Sequence, residues 1–98
     1  MILEAAVLQV KEGLAEAFER DFNLASAMIS SMKGYQGHEL QKCIEVSHKY
    51  LLLVRWETLE DHTEGFRQSK EYLTWKKYLH HYYDPFPTVE HFANVAIS

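Results

Sequence analysis

The run Tyr50-Leu-Leu-Leu-Val-Arg-Trp-Glu57 limits what this chain can fold into more than any other stretch. It is too short for a useful helix and rich in β-formers, which predicts a strand. Side chains alternate along a strand, so one face carries Tyr50, Leu52, Val54 and Trp56 and the other Leu51, Leu53 and Arg55. Both faces are mostly apolar, and both need a cover. One small chain has helices enough for one side of a sheet. The second side predicts self-association into a homodimer. Residues 2–10 repeat the pattern, with Leu3, Ala5 and Val7 opposite Ala6, Leu8 and Val10.

The remaining segments complete a β-α-β-β-α-β order. Lys11-Glu12-Gly13 is a turn, and residues 14–32 place Leu14, Phe18, Phe22, Ala25, Met28, Ile29 and Met32 on one side of an amphipathic helix. Gly34 is positioned to cap its C-terminus. The polar residues 35–44 suit an edge strand, joined to the central strand by a loop at 45–48. Thr58 is an N-cap, with Glu60 and Asp61 in the first turn of a second helical region. Leu59, His62, Phe66 and Ser69 share one face of it. A break is predicted near residues 68–71, then a helix through Tyr72, Trp75, Leu79, Tyr82 and Tyr83 that ends at Asp84-Pro85. Residues 88–95 form the last strand. The expectation is one α+β domain over residues 1–98, core 2–95. It has a ferredoxin-like four-stranded antiparallel sheet with both helices on one face.

A net charge of −4 without a basic run argues against nucleic acid and anionic membranes as partners. No apolar stretch approaches membrane-spanning length, and no basic leader precedes an apolar segment, so a cytoplasmic location is expected. Cys43 is the only cysteine, which rules out an intrachain disulfide and leaves no cysteine pair for a metal. None of the six histidines stands at helical or strand spacing from another, so no metal site is expected.

Arg55-Trp56-Glu57-Thr58-Leu59-Glu60-Asp61-His62, then Gly65 to Tyr72 and Trp75-Lys76, resemble the antibiotic biosynthesis monooxygenase domain. The resemblance spans about residues 2–95. It implies a dimeric α+β barrel, two sheets face to face with helices outside. The superfamily includes cofactor-free monooxygenases of polycyclic phenols, quinol oxygenases and haem-degrading enzymes. The last group uses an Asn on the first strand, a Trp and a His. Ala6, Phe66 and Lys76 stand at those positions here, with His80 one turn later, so haem degradation is not expected. The missing Asn bears equally on quinone-forming chemistry.

The resemblance therefore implies a cofactor-independent monooxygenase acting on a small aromatic or polyketide-like molecule. The alternative on the same scaffold is a non-catalytic small-molecule-binding or stress-responsive protein. Metal-free, flavin-free oxygenation needs an electron-rich substrate deprotonated in a dry cavity. His80, His91, Arg55 and Tyr72 are the polar candidates for catalysis, and nothing in their spacing selects among them. Trp56, Phe66, Trp75 and Phe92 are candidates for sandwiching a flat substrate.

Overall fold

Alternation along the strands decides which side of the sheet is covered. In a computed structural model, which describes residues 1–97, four strands form one antiparallel sheet: β1 (Ile2–Gln9), β2 (Tyr35–Lys42), β3 (Lys49–Trp56) and β4 (Val89–Ala93). Their order is β2-β3-β1-β4, so the two strands apolar on both faces lie at the centre. Helices α1 (Ala15–Ser30) and α2 (Lys70–Leu79) complete the expected ferredoxin-like α+β fold. Ala6 and Leu8 of β1 and the Tyr50, Leu52, Val54, Trp56 face of β3 are buried with Phe18, Phe22, Ala25 and Ile29 of α1 and Trp75 and Leu79 of α2. Burying those side chains drives assembly, at roughly 1.5–3 kcal/mol for each large one.

The opposite face is open in the single chain. Val7 is 45% exposed, Leu51 38% and Phe92 50%.

Helix ends and one helix type differ from the sequence expectation. Helix α1 stops at Ser30, and Ser31 keeps helical torsions, so Gly34 is not the C-cap. Gly34 has φ +82° in the turn into β2, where a Cβ would overlap the Asp61 carboxylate. Close approach, and not helix termination, is what requires glycine here. The segment at 61–66 is a π-helix and not the α-helix that its spacing predicts. Beyond Leu79 the chain tightens into a 3₁₀ turn (His80–Tyr82), so Tyr82 and Tyr83 leave the α2 register before Asp84-Pro85. Strand β4 is also shorter than expected. It pairs only with β1, from Ala6 opposite Val89 to Ile2 opposite Ala93, and runs out of partner where β1 begins. No helix among the described residues is long and apolar enough to cross a membrane.

Candidate functional site

The site is built where β3 hands over to the π-helix. Thr58 Oγ1 accepts from the Asp61 N–H, and the Asp61 carboxylate accepts from the Thr58 N–H, each at 3.2 Å. This reciprocal cap starts the turn. The Arg67 N–H then donates to the His62 carbonyl at 3.1 Å, a π-type bond that adds a residue to the ring. The widened turn leaves His62 3% and Phe66 1% exposed, both directed inward. Ser69 ends the segment and caps α2, its Oγ accepting from the Tyr72 N–H at 3.1 Å.

Facing His62 from the sheet is Glu4, 5% exposed among apolar neighbours. Its Oε1 accepts a hydrogen bond from Trp56 Nε1–H at 2.9 Å and lies 3.4 Å from His62 Nε2. His62 Nδ1 is 2.7 Å from His91 Nε2, and the His62 ring stacks on Trp56 with 5.6 Å between centroids. Register explains the meeting: Glu4 pairs with Val54 on one side and with His91 on the other. Burial pushes the Glu4 carboxyl above its usual range, against the pull of the Trp56 hydrogen bond and the Arg67 charge. Burial foremost, then Arg67 and His91, push His62 down to about 3. His62 is therefore neutral at pH 7, and its contact with Glu4 is not an ion pair. Burial and Arg67 also lower His91.

Next to this group is a cavity of about 340 Å³ between the helices and the sheet. Phe66, Tyr72, Trp75, Tyr83 and Phe86 give it aromatic walls, and Ala6, Leu8 and Leu52 line it from the sheet. Trp75 meets Phe66 edge-on at 5.6 Å, and Tyr72 meets Phe66 at 5.2 Å. Besides the phenols of Tyr72 and Tyr83, the polar residues Glu4, His62, Arg67 and His80 reach it. Burial and Lys76 hold His80 below its usual value, so it too presents a neutral imidazole at pH 7. Such a chamber can take an aromatic molecule, accept its proton and hold the resulting anion against Arg67.

The structure gathers most of the sequence candidates and separates two. Phe66, Tyr72, Trp75 and His80 line the cavity. Trp56 is fully buried behind Glu4, and His91 stands behind His62. Arg55 and Phe92 are on the other side of the sheet, around a separate hollow with Met1 and Leu3, and Arg55 pairs with Glu39 at 3.1 Å. Alternation puts them there, one residue out of phase with Trp56 and His91. Glu4, His62 and Arg67 join the site without having been singled out. Glu4 had a legible signal, a carboxylate two residues before Ala6 on the face of Ala6, Leu8 and Val10. His62 had only its shared face with Phe66. Of the positions compared with haem-degrading relatives, Ala6 and Phe66 line the cavity and Lys76 does not.

A family model described as antibiotic biosynthesis monooxygenase matches residues 1–78. The chain belongs to that family. The uncharacterised protein YczJ of Bacillus subtilis (strain 168) is 63% identical over 95 residues, covering 97% of this chain and 100% of its own. A Bordetella bronchiseptica structure, described as a candidate antibiotic biosynthesis monooxygenase, superposes with a TM-score of 0.91 at 32% identity, covering 97% of each chain. SnoaB of Streptomyces nogalater, a cofactor-independent oxygenase, superposes with a TM-score of 0.77 at 18% identity, covering 99% of this chain and 93% of its own. At that identity the SnoaB likeness concerns the fold.

Proposed function

We propose that the chain is a cofactor-independent monooxygenase of a small, electron-rich aromatic such as a polycyclic phenol, acting as a cytoplasmic homodimer. One observation carries the reading: a buried carboxylate and neutral imidazoles at the edge of an aromatic-walled cavity that also holds a guanidinium. At about 340 Å³ the cavity is at the lower end of the roughly 300–1,000 Å³ of small-molecule sites.

Edge-on contacts such as Phe66 with Trp75 leave flat surfaces against which a ring can stack. A carboxylate denied water is a stronger base than one at the surface, and Glu4 is so placed. Arg67 steadies the phenolate or carbanion that deprotonation leaves. Such an anion gives electrons to dioxygen without a metal or flavin. Converting a methylene to a carbonyl supplies every electron needed to place one oxygen in product and the other in water.

The homodimer is supported by the open face, where Val7, Leu51 and Phe92 are exposed beside Leu3, Ala5 and Leu53. A second copy seated there would bury on the order of 2,000 Å² or more. Sedimentation equilibrium at micromolar concentration then gives twice the chain mass, and a folded monomer removes the homodimer from the proposal.

Dioxygen uptake with a panel of anthrones, phenols and hydroquinones tests the reaction. Protein-dependent uptake with formation of the quinone is expected. Planar compounds that bind and quench Trp75 fluorescence while dioxygen stays untouched would replace the oxygenase with a binding protein.

A further inference from the structure

The contact between His62 and His91 has a chemical consequence. Two imidazole nitrogens 2.7 Å apart must present one N–H and one lone pair. A neutral ring carries a single N–H, so what His62 shows to His91 at Nδ1 fixes what it shows to Glu4 at Nε2. Two arrangements that differ by a proton shift along the line satisfy all three groups. In one, the Glu4 carboxyl proton points to His62 Nε2, and His62 Nδ1–H donates to His91. In the other, ionised Glu4 accepts from His62 Nε2–H, and His62 Nδ1 accepts from His91 Nε2–H. Glu4 Oε1 and His62 Nε2 stand 3.4 Å apart, at the outer limit of hydrogen-bond distance.

We propose that Glu4, His62 and His91 form a proton relay that carries the Glu4 carboxyl proton out to His91, frees Glu4 to take a substrate proton, and returns the held proton after turnover. The inference rests on the oxygenase reading for its use. Three features of the chain support it. Glu4 and His62 line the cavity while His91 does not, so the chain leads away from the reacting atoms. Burial falls along it, from 5% and 3% exposure at Glu4 and His62 to a partly exposed His91. Trp56 Nε1–H holds the Glu4 oxygen, and stacking on Trp56 holds the His62 ring. The donors form a line and do not converge, since His62 uses both its nitrogens in opposite directions. Arg67 is the charged group acting on Glu4 and on both rings, and the Glu4 charge in turn raises Tyr72.

The carboxyl proton first moves to His62 Nε2 while the Nδ1 proton moves to His91 Nε2, so Glu4 is ionised and His91 becomes imidazolium. The substrate C–H bond then breaks and its proton passes to the Glu4 oxygen turned away from His62, leaving the electron pair as a carbanion. The carbanion reduces dioxygen, the oxidant, and a C–O bond forms. Glu4 gives its proton to the peroxide, and loss of water, breaking O–O and the second C–H, gives the carbonyl. The reverse shift then returns the His91 proton to Glu4. Holding that proton on His91 keeps Glu4 available as the base, and the return resets the tautomers.

The test is a pH titration of 15N-histidine-labelled full chain followed through the ring nitrogens, together with kinetics. In the wild type, His62 and His91 should share one inflection, set by the Glu4 carboxyl. In Glu4→Gln that inflection should vanish from both. Identical ring titrations in wild type and Glu4→Gln overturn the relay, with no substrate needed. His91→Gln keeps a hydrogen bond and cannot pass a proton. Its kcat should fall roughly tenfold or more with KM unchanged, as for loss of a proton-transfer partner, and imidazole should restore His91→Ala. Full kcat in His91→Gln overturns the relay. Coupled titrations in a wild type that consumes no dioxygen support the relay and reject the oxygenase reading.

Discussion

The two ends of β3 make nearly the same contact in opposite surroundings. At one end Trp56 donates to Glu4, and at the other the Tyr50 hydroxyl donates to Glu19 at 2.5 Å. Glu19 also receives Lys42 at 3.1 Å, and its side chain is 43% exposed. Its carboxyl is lowered, by the Tyr50 bond first and Lys42 next, whereas burial raises Glu4. A single aromatic donor thus does not settle a carboxylate's character. Water does. The Tyr50 end is an ordinary surface-satisfied network over a packed core. The Trp56 end keeps a charge-bearing group where the charge is disfavoured, the pattern expected of a functional site.

Side-chain truncation should separate the ends most strongly. Phe18 is fully buried and packs on Tyr50 with centroids 4.9 Å apart. Phe18→Ala should cost about 3–5 kcal/mol in denaturant titration, a full core loss. Trp75→Ala should cost less, because one side of that ring already borders the cavity, and it should weaken binding of planar compounds. Equal losses would mean the cavity behaves as packed core. Smaller is the effect of Gly34→Ala, expected at about 1–3 kcal/mol from the left-handed torsion and displacement of Asp61. Because Asp61 and Thr58 bond reciprocally at the start of the π-helix, the neighbouring His62 ring signals should move with it. A neutral Gly34→Ala would show that the turn adjusts freely.

Glu4→Gln keeps an acceptor for Trp56 and removes the disfavoured charge. At pH 8 it should be more stable than wild type by on the order of 1 kcal/mol, the scale of one buried polar group. The sign follows from linkage. A raised folded value means the folded state binds the extra proton, so the penalty is full above that value and fades as pH falls toward 4.5. His62 opposes this in acid, its depressed value penalising the fold as pH drops below 6.5 toward about 3. The wild-type-minus-variant difference isolates Glu4. Glu19→Gln should act the other way and least, lowering stability by less than about 1 kcal/mol near neutrality, as exposed pairs do. Its contribution is present above the unfolded carboxylate value and lost as pH falls through the depressed folded one. Stabilisation by Glu19→Gln would erase the contrast.

The sheet was legible because two strands declared both faces by alternation, and the break expected near residues 68–71 falls where Ser69 caps α2. Tyr72 and Trp75 share a face of α2 by their spacing, and with Phe66 they border the cavity. The buried polar chain did not. Glu4, His62 and His91 are distant in sequence and meet through strand register and a π-helix, and no short spacing encodes either. Periodicity read the 61–66 segment as α because His62 and Phe66 share a face in both helix types. Arg55 and Phe92 were grouped with the cavity by chemistry alone, although the same alternation that ordered β3 sends them to the open face.

The central claim is that the Trp56 end is a reaction chamber organised on Glu4. The most direct measurement is the rate of dioxygen uptake on one oxidisable phenol by wild type and Glu4→Gln at equal concentrations of folded protein. The account predicts uptake by the wild type and a loss of roughly a hundredfold or more in the variant, the scale of removing a general base. Equal rates from the two proteins, or no uptake from the wild type with any compound of the panel, would contradict it.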